Sequence, residues 1–268
     1  MFFKSFFKYL VRYHFWVSFS FSFLCLLVMI GLNFFSFKIL SFSFFSCFLA
    51  YNFINNLKEN DNQGFISMNK FSLNKLLFIL LLFVLVYLLF NLKLISAISF
   101  IVLAPFIFFY SHLRKIKYFK IFMIAFSWSY FSVLLPAVEL LVAIDEKIIL
   151  IFLAIYLKVL AITIPFDIRD IEFDKSKLVT IPIKLGIQKS KILSIILSSI
   201  STLITFIIWH FNYVDLEFFL TFLITTILLS VFLFLKSNQF TSQKCSFLFE
   251  GIFILMPTIL FILNGFEI

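Results

Sequence analysis

The sequence predicts an all-α integral membrane protein, on three observations. Of 268 residues, 63% are hydrophobic and 13% are charged, against roughly a quarter charged in a soluble domain. Nine apolar stretches are divided by polar breaks, and the basic residues gather beside alternate breaks. A water-soluble fold is excluded.

A hydrocarbon core of ~30 Å needs ~20 mainly apolar residues per helix, which sets the expected elements. The spans run Phe15 to Asn33, Phe37 to Leu57, Leu76 to Phe90, Leu94 to Tyr110, Ile121 to Ala143, Ile148 to Phe166, Ile192 to Phe211, Leu216 to Leu235 and Phe247 to Leu263. Residues 1–14 precede them, with Lys4, Lys8 and Arg12 at i, i+4 and i+8 among Phe and Tyr. That pattern suits an interfacial amphipathic helix. No small-residue cleavage site interrupts the run from Phe15, so the first span reads as retained. Residues 1–268 read as one transmembrane domain.

Positive loops stay in the cytoplasm. With the N-terminus inside, the inner segments hold 18 of the 22 Lys and Arg residues and the outer segments hold Lys38, Lys93 and Lys147. Lys158 lies within the sixth span. The reading is a cytoplasmic N-terminus, a C-terminus on the opposite side, and a net charge of +9 that marks topology and attraction to anionic membrane lipids rather than to nucleic acid. The inner loops are also the long ones, which places local function at the cytosolic face.

Several residue types carry no chemistry in this reading. The 45 Phe spread over the apolar segments at no fixed spacing, as interchangeable lipid-facing groups. Cys25, Cys47 and Cys245 form neither a disulfide framework nor a zinc pattern. His14, His112 and His210 are isolated near membrane boundaries, and Glu139 reads as an interface residue beside Asp145 and Glu146. With 5 Gly in the chain, no G-x-x-x-G helix interface is present.

Two polar stripes remain. In Ile164-Pro-Phe-Asp-Ile-Arg-Asp-Ile-Glu-Phe-Asp-Lys175, the carboxylates Asp167, Asp170 and Asp174 stand at i, i+3 and i+7, within one helical stripe. Carboxylates so close repel one another unless a cation sits between them. Hard oxygen ligands that leave room for water and phosphate are what Mg²⁺ prefers; the alternative is a solvated acidic helix end balanced by nearby lysines. At the end of the second span, Asn52, Asn55, Asn56 and Glu59 lie at i, i+3, i+4 and i+7 and could frame the same cavity. The competing reading is a helix leaving the membrane, since Asn and Asp favour turns.

With these residues in view, the sequence resembles the UbiA superfamily of intramembrane prenyltransferases. Asp167-x-x-Asp170-x-x-x-Asp174 matches the family's second acidic motif, and Thr180-x-Pro182-x-x-x-Gly186 follows as its T-x-P-x-x-x-G segment does. The resemblance implies nine transmembrane helices in a bundle around a central cavity, and transfer of a prenyl chain from a polyprenyl diphosphate to an aromatic, quinone-precursor or lipid acceptor. It implies Mg²⁺ on Asp167, Asp170, Asp174 and Glu59, with Asp170 catalytic. Asn52, Asn55, Asn56, Arg169, Lys175 and Lys177 would hold the substrate. Lys158 is added as an intramembrane ionisable group, although nine residues set it on the helix face opposite Asp167. Cations beside a departing diphosphate stabilise charge where it develops.

The chain also departs from the pattern. Where the first motif reads N-D-x-x-D-x-x-x-D, this sequence has Asn55-Asn56-x-x-Glu59-x-x-x-Gln63. The segment between Asp174 and Thr180 is one residue short, and Val179 stands where a base often precedes the Thr. A non-enzymatic isoprenoid- or lipid-binding protein is therefore a second reading. A solute transporter is a third and weaker one, because transport sites sit near the bilayer midplane.

Overall fold

In the computed structural model, residues 2–62, 75–175, 178–234 and 242–265 are described, and these are helical with no strand. Helix α1, Phe2–Arg12, meets α2, Phe15–Gly31, at 74°. The bend falls at His14, whose φ of 63° puts a non-glycine residue in the left-handed region. There follow α3, Phe37–Asn62, α4, Lys75–Phe90, and α5, Leu94–Phe108, α6, Phe119–Leu140. The second half comprises α7, Glu146–Arg169, α8, Ile187–His210, α9, Leu216–Phe234, and α10, Gln243–Leu263.

Each of the nine apolar stretches falls on one of α2 to α10. Six of these helices, α3 and α6 to α10, are long and apolar enough to cross a membrane unaided. Helices α2, α4 and α5 are shorter, and α5 is interrupted at Val102 and Leu103, just before Pro105, whose ring cannot sit in a continuous helix interior. The expected count of nine is therefore a count of apolar segments, six of which meet the length of an independent span.

The helices close into a ring in chain order. Each packs on the next from α2 to α10, and α10 returns to α2. Outward faces are apolar, with Phe83 at 68% exposure and Phe90 at 84%, as a lipid-facing surface requires. The interior holds one contiguous buried cluster running from Val17 and Leu24 through Phe131 and Ile155 to Phe222 and Met256.

The most extensive contact is α7 against α8, and small residues make it possible. Ser194 Oγ donates to the Ala161 carbonyl and Ser201 Oγ to the Ala154 carbonyl, both at 2.6 Å. The two Ala and the two Ser are each seven residues apart on antiparallel helices, so both pairs meet on one seam. Close backbone approach is the usual basis of helix association in lipid; here Ala and Ser take the place of the absent Gly pattern. Helix α7 is also well terminated. Asp145 caps it by accepting from Ile148 N–H at 3.1 Å, Glu146 opens it and Arg169 closes it, each with the sign that suits the helix dipole.

Gly31 ends α2 against α9. A Cβ there would lie 2.5 Å from Phe218 Cε2, and Phe218 is 1% exposed, so the ring has little room to yield. Gly31→Ala is expected to lower stability in detergent by about 1–3 kcal/mol, as overpacking does. Adding Phe218→Leu should restore part of the loss, measured by thermal unfolding.

Candidate functional site

The acidic segment ends α7 but is not one continuous stripe. The helix stops at Asp170, whose φ of −92° and ψ of 6° break it, and a short turn, Ile171–Asp174, follows. Asp167 and Asp174 are brought together by a residue from α6. Lys120 Nζ donates to Asp167 Oδ1 at 2.6 Å and to Asp174 Oδ2 at 3.5 Å. Arg114 Nη2 lies 3.9 Å from Asp174 Oδ1. The side chains of Asp167 and Asp174 are 2% and 3% exposed, and buried carboxylates persist as anions only with such partners.

Asp170 is placed differently. It accepts from its neighbour Arg169 in a two-pronged pair, Nε to Oδ1 at 2.6 Å and Nη2 to Oδ2 at 2.7 Å, and its side chain is 32% exposed. Arg169 also lies over the Phe166 ring, 5.3 Å from its centre. The expected convergence of three carboxylates thus becomes a pair, Asp167 and Asp174, with Asp170 set apart by the helix break.

Lys120 is delivered by local geometry. It is the second residue of α6, and the preceding Tyr118 adopts a left-handed φ of 61°. Tyr118 N–H donates to the Val179 carbonyl at 3.1 Å, which ties the start of α6 to the strip between Asp174 and Thr180. The T-x-P-x-x-x-G segment then forms a short helix, Ile181–Leu185, with Pro182 in its first turn. Gly186, at φ 81°, closes it in a conformation glycine adopts without strain.

These side chains surround the polar mouth of a chamber of about 440 Å³, lined among others by Arg114, Lys120, Asp167, Arg169, Asp170 and Asp174. His14, Tyr51, Ile124 and Trp128 line this chamber and also a second, apolar space of about 180 Å³, so the two adjoin. The apolar arm runs away from Lys120 between α2, α3, α5 and α6 and reaches Phe21, Phe100 and Phe131. Behind its end stands Phe42, fully buried, 4.9 Å from Phe100 and 5.7 Å from Phe131 between ring centres.

Two widened, π-helical turns flank the chamber, Tyr130–Leu134 in α6 and Ser246–Glu250 in α10. Such turns push side chains out of helical register and recur at functional sites. The second brings Ser246 and Glu250 to the chamber wall; Trp16 Nε1 donates to the Ser246 carbonyl at 2.8 Å, holding that turn against α2.

Other expected residues fall elsewhere. Asn52 is buried within α3, donating Nδ2 to the Phe48 carbonyl at 2.8 Å, and does not line the chamber. The α3 backbone continues through Asn55, Asn56 and Glu59, but their side chains lie outside the described residues, as does all of Lys177. Lys175 is exposed and outside the chamber lining. Lys158 lies apart from the chamber lining: it is fully buried and points to α8 and α9, donating to Ser198 Oγ at 3.0 Å and Thr226 Oγ1 at 2.8 Å. Its ammonium also sits 5.6 Å from the Phe222 ring centre. The nine-residue offset that sets it opposite Asp167 decides its direction.

Arg114, Lys120 and Glu250 were not expected in the site. The two bases read as topology charges, although both lie at the same end of the bundle as the acidic motif. Glu250 stands within an apolar span, which is itself a signal of function.

With regard to a divalent ion, no group of three or more His, Cys, Asp or Glu able to hold a metal occurs among the described residues. Asp167 and Asp174 nevertheless converge on one cationic centre. Mg²⁺ commonly takes only one or two carboxylates, completing its shell with water and substrate phosphates, and the pair fits that pattern.

No family model matches the sequence, and no curated protein does. Solved structures do match. A UbiA homologue from Aeropyrum pernix K1 superposes with a TM-score of 0.67 at 12% identity, covering 95% of this chain and 98% of its own. The chain has the UbiA fold. A digeranylgeranylglyceryl phosphate synthase superposes with a TM-score of 0.60 at 17% identity, over 98% of each chain. In this UbiA fold the polar mouth lies where the ends of α6 and α7 meet.

Two variants of Lys158 separate packing from hydrogen bonding in that arrangement. Lys158→Met, which keeps its length, is expected to leave the unfolding midpoint nearly unchanged. Lys158→Ala should destabilise by about 2–5 kcal/mol, like truncation of a buried Met or Leu. A large loss in the Met variant would place the stabilising contribution in the amine's hydrogen bonds instead.

Proposed function

We propose that the chain is a UbiA-type prenyltransferase that moves a polyprenyl group from its diphosphate to a lipid-soluble acceptor with Mg²⁺. The observation that carries this reading is a charged mouth that adjoins an aromatic apolar arm across shared side chains. A diphosphate attached to an isoprenoid tail has the same division. All nine apolar segments lie in the membrane in this reading, α2, α4 and α5 as short or tilted crossings, and the positive inner loops put the mouth on the cytosolic side.

Arg114, Lys120 and Arg169 take the diphosphate oxygens. Asp170 keeps the Arg169 guanidinium aimed, since a two-pronged pair fixes its orientation. Asp167 and Asp174, and Glu59 if α3 presents it, would hold Mg²⁺, which when bound neutralises leaving-group charge. The allylic carbon–oxygen bond breaks with both electrons leaving on the diphosphate, and positive charge develops on the first carbon of the chain. Tyr51 and Trp128, at the junction of mouth and arm, offer π faces to that charge. The acceptor's nucleophilic atom bonds to the carbon and loses a proton, for which Glu250 on the chamber wall is a nearby base.

The test is incubation of membranes containing the protein with labelled polyprenyl diphosphate, Mg²⁺ and a pool of lipid acceptors. Metal-dependent diphosphate release is expected, and Asp167→Asn or Asp174→Asn should reduce it by ~10²-fold or more, the scale of a lost charge-stabilising group. Absence of release across chain lengths would leave the second reading, an isoprenoid-binding protein, supported by how fully the mouth's carboxylates are already matched by its own bases. In that case a polyprenyl lipid co-purifies and Asp170→Asn leaves cellular function intact.

The aromatic end of the arm adds a specificity expectation. Phe131→Ala removes a ring between the arm and Phe42, and the preferred prenyl chain should lengthen by one or more isoprene units, read by mass spectrometry of products or of co-purified lipid.

A further inference from the structure

We infer that Lys120 is a resident counter-ion of the Asp167 and Asp174 pair, and that a divalent cation enters only together with a diphosphate that takes Lys120 over. This inference rests on the diphosphate reading above and adds the order of events at the mouth.

The geometry leaves one cationic position between the two carboxylates, and it is filled. Lys120 Nζ is 2.6 Å from Asp167 Oδ1 and 3.5 Å from Asp174 Oδ2. A divalent ion on the same oxygens would meet an ammonium a few ångströms away, and like charges at that distance in a poorly solvated pocket repel strongly. The carboxylates in turn cannot simply release Lys120, because they are almost fully buried and removing one partner leaves an uncompensated charge. Exchange of one cation for the other is therefore unfavourable unless the displaced ammonium finds new acceptors at the same moment. A diphosphate supplies them.

The three bases of the mouth differ in their freedom to make this move. Arg169 is held by two hydrogen bonds to Asp170 and Arg114 reaches Asp174 alone of the pair, at 3.9 Å. Lys120 carries a compact charge on a flexible four-carbon stem. Its backbone is anchored, since the Tyr118 N–H to Val179 carbonyl bond pins the start of α6. The side chain swings and the helix stays.

Metal and diphosphate then bind with positive coupling, each raising the other's affinity by the same factor. The experiment uses the purified full-length protein in detergent, with Mg²⁺ and inorganic pyrophosphate as probes and the thermal midpoint as readout. Wild type should respond weakly to either probe alone, and its apparent Mg²⁺ affinity should rise by about tenfold or more with pyrophosphate present. In Lys120→Met the orphaned carboxylates should bind Mg²⁺ alone about tenfold more tightly than wild type, and the coupling should disappear. Lys120→Arg, which keeps the charge, should retain weak binding of Mg²⁺ alone.

Wild type binding Mg²⁺ equally well with and without pyrophosphate would overturn the inference, as would a folded Lys120→Met with no gain. Where Lys120→Met does not fold, an absence of coupling in wild type still overturns the inference, and Lys120→Gln takes its place as the uncharged variant. Failure of both probes in every combination would sink the transferase reading as well, whereas diphosphate release with uncoupled Mg²⁺ binding would sink only the role of Lys120.

Discussion

The ion cluster that joins the start of α6 to the end of α7 is the constraint around which the mouth is built. Lys120 belongs to α6, Asp167 to α7, and Asp174 to the turn beyond it. Buried charges in a membrane protein are tolerated where they pair and face a cavity, so these residues dictate where the ring of helices opens. The break at Asp170 follows from the same demand. A continuous helix would carry all three carboxylates on one stripe; stopping it after Arg169 lets Asp174 fold back to Lys120 while Asp170 turns to Arg169.

The rest of the bundle meets the membrane's other requirement, that polar groups find partners inside the protein. Helices α7, α8 and α9 share a seam of hydroxyls in which Ser194 and Ser201 reach α7 carbonyls. Ser198, Thr202 and Thr226 bond one another around Lys158. Individual interhelical hydrogen bonds in lipid contribute modestly, ~0.6 kcal/mol on average, yet here they also permit close approach because Ser and Ala are small. The seam stiffens the side of the ring that carries Asp167 and leaves the aromatic side, α2 to α6, to shape the apolar arm.

The helices were legible in the sequence because hydropathy and length are decided locally, and each apolar stretch became helical. The span count was less secure, since α2, α4 and α5 fall short of independent crossing and only their neighbours in the ring account for their place. The acidic motif was legible as a group but not in its division, because a stripe of i, i+3 and i+7 presupposes an unbroken helix. Lys120 and Arg114 were hidden for a different reason. Bases at inner helix ends serve topology in any membrane protein, and nothing in the chain marks the two that turn inward. Lys158 stood out for its rarity, although its offset from Asp167 pointed it away.

Sequence identities of 12% and 17% within a shared fold that covers 95% and 98% of this chain indicate how little most positions are constrained. Outward positions require only apolar bulk, and Phe at many of them satisfies that as well as Leu. The chamber asks for more: cations and carboxylates in register at one end, flat aromatic walls at the other, and two π-helical turns to aim residues inward. Those demands fall on side chains from α2, α3, α5, α6, α7 and α10, so that residues far apart in sequence are joined only once the ring has closed. Asn55, Asn56 and Glu59 stand in the last turns of α3, a wall of that same ring. A reduced set of carboxylates there is compatible with the charge already present at the mouth, where three bases and three aspartates stand nearly matched before any ligand arrives.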